Sequence, residues 1–137
     1  MDLSRLSVVV PARDGRDLTL RCLGSLAGAM ASGAEVVLVD DGSADDTSGA
    51  VRARFPGVLL LRHEEAQGFT VSANEGLRRS RGGVLLLLNS DAEADGDALP
   101  RLLGAFDSDP GLGVASPTLL DPDGAPQWSG GAAPTLP

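Results

Sequence analysis

The sequence predicts one α/β domain built on a mostly parallel sheet flanked by helices. Three observations carry that prediction. Four short apolar runs recur along the chain, at residues 6–10 (LSVVV), 35–39 (EVVLV), 58–61 (VLLL) and 84–88 (VLLLL). Each run is continuous rather than alternating, the pattern of strands buried on both faces. The interval after each run carries apolar residues at helical spacing, so the order reads β-α-β-α-β-α-β-α, with right-handed crossovers expected.

The elements follow in order. The first strand ends at Pro11-Ala12-Arg13-Asp14-Gly15, and Leu18, Cys22, Leu23 and Leu26 then mark one face of a helix. The second strand runs into Asp40-Asp41-Gly42-Ser43. Ser43 and Asp46 have the spacing of a capping box, and Thr47, Val51 and Phe55 form a helix face that Pro56-Gly57 ends. Arg62, His63, Glu64 and Glu65 after the third strand read as a polar loop. Val71, Asn74, Glu75, Leu77 and Arg78 predict a third helix, stopped by Gly82-Gly83. The fourth strand leads to Asn89-Ser90-Asp91-Ala92-Glu93, and Leu99, Leu102, Leu103 and Phe106 predict a fourth helix. Beyond Pro110 the pattern weakens. Residues 113–116 suggest a further short strand, and residues 121–137, rich in Pro, Gly and Ala, read as a tail without regular structure. The folded domain is therefore expected at residues 1–120.

A chain of 137 residues supports one domain. Its hydrophobic content is 42% but its aromatic content only 3%, so the core must be aliphatic. The net charge of -8 argues against nucleic acid, whose phosphates require clustered Lys and Arg. It suits a divalent cation shared between carboxylates and a diphosphate. Cys22 is the single cysteine, so no internal disulfide forms, and a reducing cytoplasm is the simple expectation. No apolar stretch has the length of a membrane span and no signal peptide is evident. Peripheral contact with the inner face of the membrane, through sequence outside these residues, is left open.

In open α/β sheets ligands bind beyond the carboxyl ends of the strands. Acidic residues from distant parts of the chain gather at that edge here, and a divalent cation would offset their repulsion. Asp40-Asp41-Gly42-Ser43 alone is ordinary turn chemistry, and Asp91 alone an ordinary strand-end residue. Their joint placement after buried strands points to a site. A dinucleotide-binding domain is disfavoured because the first loop reads PARDGRD, without G-x-G-x-x-G. A phosphoacceptor domain is disfavoured because the acidic pair follows the second strand rather than the first.

The segments VVVPARDG, VLVDDGSADDT and GFTVSANEGLRRSRGGVLLLLNSDAE resemble glycosyltransferase family 2 in wording, order and spacing, from Leu6 to about Gly130. The tail, with DPDGAPQWSGG, resembles the bacterial rhamnosyltransferase-like branch. The resemblance implies a GT-A (nucleotide-diphospho-sugar transferase), Rossmann-like fold, ending before the acceptor half. It implies inverting transfer of a sugar from a nucleoside diphosphate, UDP- or dTDP-linked, to a glycan or lipid-linked acceptor. The alternative is a non-catalytic nucleotide-binding or interaction remnant of that fold.

By the same resemblance, Pro11, Ala12 and Arg13 flank the nucleotide through backbone contacts. Asp41 accepts the imide N–H of a pyrimidine, while Asp40 braces the loop. Gly68 lets the backbone pass close to the donor, and Asn74 is a candidate hydrogen-bonding group. Asn89-Ser90-Asp91 stands in place of the family's DxD motif, with Asp91 the metal ligand for Mg or Mn. Asn89 replaces the usual first Asp and can bond a ribose hydroxyl without supplying charge. Glu93 and Asp95 are expected to be solvated, Arg78 and Arg79 to form a solvated face, and Trp128 to anchor the tail by packing. The catalytic base is expected beyond Pro137.

Overall fold

The computed structural model describes residues 2–128. Four parallel strands form one sheet: β1 (Leu6–Ala12), β2 (Glu35–Asp41), β3 (Leu59–His63) and β4 (Val84–Leu87), in the order β3-β2-β1-β4. The helices are α1 (Arg16–Ser25), α2 (Ala27–Ala31), α3 (Thr47–Arg54), α4 (Phe69–Arg79) and α5 (Ala98–Ser108). The four predicted strands and four predicted helical segments are all present. The short α2 was not anticipated.

Alternate residues of the strands feed two apolar layers. Val8, Val10, Val36 and Leu38 pack with Cys22, Leu23, Leu26, Val51, Leu99 and Leu103. Val9, Val37 and Val39 form the opposite layer, with Leu77 of α4. The expected aliphatic core is what fills both. α4 lies close to the sheet because Gly76 has no side chain: a Cβ there would sit 2.4 Å from a Val9 methyl and 3.2 Å from one of Val39.

Only β1 and β2 are buried on both faces as expected. β3 and β4 are the outer strands and are partly open, with Leu59, Leu85 and Leu87 exposed. Leu87 pairs with Val9 and so lies on the α4 side, where α4 covers β1 and β2 but not β4. The amino-terminal edge is tied by Ser7, whose buried hydroxyl donates to Glu35 and accepts the Gly82 N–H. Glu35 in turn receives Arg81.

Residues 113–116 form no strand. Residues 121–128 form no helix or strand, and Leu120 and Pro126 make one isolated antiparallel bridge around the Asp121–Gly124 turn. Trp128 is exposed, so it is not the packing anchor expected. The remainder of the predicted tail, residues 129–137, lies outside the described residues.

Gly76→Ala should cost roughly 1–3 kcal/mol, because neither valine can retreat within a packed core. Gly104→Ala, on α5 with nothing within 4 Å of the added carbon, should instead gain about 0.5–1 kcal/mol from helix propensity. Urea denaturation of the two variants checks the contrast.

Candidate functional site

The strand order places a topological switch between β1 and β4. The chain proceeds from β1 outward through β2 to β3, then returns to the other side of β1 for β4. Connections leave β1 and β4 in different directions there, which opens a crevice at their carboxyl ends. A cleft of about 320 Å³ occupies this place, lined by Pro11, Arg13, Asp14, Gly15, Leu18, Phe69, Asn89, Ser90 and Asp91. That volume is at the lower end for small-molecule sites. A second depression, between the starts of α1 and α3, is lined by Asp17, Asp45 and Asp46 and contains none of the predicted residues.

Two loops shape the cleft by binding each other. Asp14 and Gly15 both take the left-handed conformation, with φ of 56° and 67°, which turns the chain from β1 into α1. The Asp14 N–H donates to the Ser43 hydroxyl at 2.8 Å, and its carboxylate accepts the Ala44 N–H at 2.8 Å. Asp45 accepts the Arg16 N–H at the start of α1 and the Thr47 N–H at the start of α3, both at 3.0 Å. The Ser43–Asp46 capping box therefore does not form. The Ser43 N–H is held by Asp40 and its hydroxyl serves Asp14, so Asp45 takes over at α3.

Cys22 and Ser25 of α1 brace the far wall. The Cys22 thiol donates to the Asn89 carbonyl at 3.6 Å. Burial, with Asp91 and Glu93 nearby, pushes that thiol up to about 12, so it remains a donor. The Ser25 hydroxyl accepts the Ala94 N–H. Glu93 is not simply solvated but pairs with Arg21.

Asp40 and Asp41 are adjacent, so they point to opposite faces of β2. Each faces a cation in register on β3: Asp40 opposite Arg62, Asp41 opposite His63. Asp40 is fully buried. Its carboxylate accepts the Ser43 N–H at 2.9 Å, the Ser48 hydroxyl and the Arg62 guanidinium at 2.6 Å. Arg62 also donates to the Ser43 carbonyl. Burial alone would raise the Asp40 carboxyl, but the hydrogen bonds from Ser43 and Ser48 and the Arg62 charge hold it below its ordinary value. The expected bracing role of Asp40 is what the geometry shows.

On the other face Asp41 accepts His63 Nδ1 at 2.8 Å, the Gln67 N–H at 2.7 Å and the Gly68 N–H at 2.9 Å. These bonds outweigh the opposing effect of burial and hold its carboxyl at about 2. His63 Nε2 meets Glu75 of α4 at 2.5 Å. His63 is thus a structural member of the site rather than part of a free polar loop. Two of the gathered acids are neutralised by protein cations, not left for a metal as the sequence suggested. Gly42 permits this packing: its φ is 70°, and a Cβ there would lie 2.8 Å from the Ala66 nitrogen.

Of the predicted residues, Pro11, Arg13, Asn89, Ser90 and Asp91 line the cleft together. Ala12 is buried at the end of β1 and offers only backbone. Asp41 and Gly68, linked by a hydrogen bond, are not among the cleft-lining residues, although Phe69, next to Gly68, is. Asn74 is on the exposed face of α4, away from the cleft lining. Among the described residues, no three His, Cys, Asp or Glu side chains cluster as a metal cage. Asp91 is exposed and lines the cleft with one other acid, Asp14, whose carboxylate already accepts the Ala44 N–H; so sparse a donor set fits a cation completed by water and phosphate oxygens. Sequence reasoning missed Asp14, Gly15, Leu18 and Phe69 as lining, although Asp14, Gly15 and Phe69 lie inside motifs it had singled out.

The family model for Glycosyl transferase family 2 matches residues 7–130. An uncharacterized protein of Mycobacterium tuberculosis is 32% identical over 80% of this chain and 34% of its own length. An uncharacterized glycosyltransferase of Haemophilus influenzae is 31% identical over 78% of this chain and 36% of its own. The mannosyltransferase PcManGT of Pyrobaculum calidifontis, solved in complex with GDP-Man and Mn2+, superposes with a TM-score of 0.72 at 27% identity, over 82% of this chain and 35% of that one. The chain spans about a third of the length of these relatives.

Arg62→Met should destabilise the fold by about 3 kcal/mol, since it leaves the buried Asp40 charge without its cation. Acid should act through the same pair of aspartates. A carboxyl held below its ordinary value stabilises the fold above that value and stops doing so as pH falls through the folded one. For Asp41 the loss should run from near 4 down to about 2. Thermal melts across that interval should show Asp41→Asn losing less stability than the native chain.

Proposed function

Because the chain belongs to glycosyltransferase family 2, we propose that its cleft holds the donor of an inverting glycosyl transfer, a nucleoside-diphosphate sugar. The observation that carries this reading is the convergence of Pro11, Arg13, Asn89, Ser90 and Asp91 at the β1–β4 switch point. Three of them have side-chain chemistry suited to one part of such a donor. Arg13 brings a guanidinium to the diphosphate, a planar donor set matched to phosphate oxygens. Asn89 offers a neutral amide to a ribose hydroxyl. Asp91 would hold Mg2+ or Mn2+, whose contribution when bound is to neutralise charge on the departing nucleoside diphosphate.

Asp41 is assigned to the base. Its Oδ2 accepts one N–H, from Gly68, and a carboxylate oxygen can accept a second. An imide N–H of uracil or thymine suits that position, and so does the corresponding N–H of guanine. Gly68 brings the backbone to the same edge, and Asn74 of α4 would reach the donor only beyond the present cleft wall. The acceptor would be a glycan or lipid-linked hydroxyl, and none of the cleft-lining residues is assigned as the base that deprotonates it.

Calorimetry with UDP, dTDP and GDP, with and without Mn2+, tests the reading. Binding should strengthen with Mn2+. Asp91→Ala should abolish the metal dependence, and Arg13→Ala should weaken the diphosphate by about tenfold or more while leaving the free nucleoside unaffected. A folded chain that binds none of the three nucleotides would overturn the proposal.

A further inference from the structure

The contacts of His63 extend beyond holding the sheet edge together. Its ring is nearly buried and lies between two carboxylates: Nδ1 meets Asp41 of β2 at 2.8 Å and Nε2 meets Glu75 of α4 at 2.5 Å. A carboxylate only accepts hydrogen bonds, so both ring nitrogens must donate. A neutral imidazole has one N–H, and its bare nitrogen would face a carboxylate lone pair. The bridge is therefore complete only with a charged ring, and both neighbours raise the ring's affinity for its second proton. These two acids are the charged groups that face it. Arg62, next to it on β3, is directed to the other face of the sheet, to Asp40.

Asp41 passes this arrangement to the cleft. The carboxylate that receives His63 also receives the N–H groups of Gln67 and Gly68. Gly68 takes a φ of 92° and opens α4, and the next residue, Phe69, is the half-exposed aromatic wall of the cleft. Glu75 lies in the second turn of the same helix. The His63 bridge thus pins α4 at two points, its N-cap Gly68 through Asp41 and its second turn through Glu75.

We propose that His63 is a positioning residue for the cleft: by bridging Asp41 to Glu75 it fixes the Gln67–Gly68 turn and the Phe69 wall against which the nucleotide lies. This rests on the donor-site reading for its ligand but not for its geometry. While the ring is charged the wall is held from both sides. As pH rises and the ring loses its second proton, one of the two bonds is lost and the turn loosens. Nucleotide affinity falls with it, although His63 itself touches no ligand.

His63 is the chain's single histidine, so its ring signals in NMR need no assignment. In the native chain both ring nitrogens should carry protons at pH 6. The Gln67 and Gly68 amide shifts should move with the same midpoint as the ring as pH is raised to 9. In His63→Gln those amides should cease to titrate, and Glu75→Gln should lower the midpoint. The ratio of His63→Gln to native Kd for UDP with Mg2+ should be several-fold at pH 6 and approach one at pH 9. A purely structural histidine would lower stability without moving that ratio with pH. Amides indifferent to the ring's titration overturn the positioning role whatever binds. Amides that follow the ring in a chain that binds no UDP, dTDP or GDP support it and overturn the donor-site reading instead. A pH-independent Kd ratio in a chain that does bind overturns the link to affinity.

Discussion

Two adjacent carboxylates at the end of one central strand are the constraint around which the site is arranged. Asp40 and Asp41 are both buried, and charge is costly to bury without a partner. Because neighbouring residues of a strand face opposite ways, one cation cannot serve both. The register of β3 provides Arg62 on one face and His63 on the other. Each carboxylate has remaining acceptor sites, and those are taken by backbone N–H groups of a loop: Ser43 for Asp40, and Gln67 and Gly68 for Asp41. The loops after β2 and β3 are therefore fixed by the charges they help to solvate. Removing either cation would unfasten a loop as well as expose a charge.

From that pair the order spreads outward. Ser43, once its N–H is held, presents its hydroxyl to Asp14, and Asp14 reaches Ala44 in return. Asp45 then joins the first turns of α1 and α3. The cleft between β1 and β4 consequently has one wall set by α1, through Cys22 and Ser25, and another set by α4, through Asp41 and Gly68. Both walls are anchored to the sheet, so residues distant in sequence, such as Arg13 and Asp91, face a common space without touching each other directly.

Much of the fold was legible because its signals are local. Continuous Val and Leu runs specify buried strands, and Leu23, Val51 and Leu103 recur at helical spacing inside the segments that became helices. The strand order was not legible, and with it went the distinction between buried central strands and half-open outer ones. The same division holds for the site. That Pro11, Arg13, Asn89, Ser90 and Asp91 would lie near one another was legible because they stand at or just beyond strand ends and carry a family's motifs. His63 was read as loop because nothing in its neighbourhood reports that Glu75, a turn and a half into another helix, will meet it. The capping-box reading of Ser43 failed for a related reason. Spacing records which groups could pair locally, whereas Ser43 was claimed by Asp14, 29 residues away.

The departure at Asn89 follows from the same electrostatics. A site that admits a diphosphate must lower, not raise, the negative charge at its mouth. Here Asp40 and Asp41 are neutralised from within and Glu93 is paired with Arg21. Asp14 and Asp91 remain among the cleft-lining residues, as does Arg13. A second acid at position 89 would add a third carboxylate to that small space, tightening a cation but opposing the anion it serves. Asn89 keeps the hydrogen-bonding capacity of the position without the charge. Under the donor-site proposal the balance would shift from a metal held mainly by protein toward one held jointly with the nucleotide, in which Arg13 would share the neutralisation. In such a site the cation and the diphosphate would bind as a pair, each with little affinity for the chain alone.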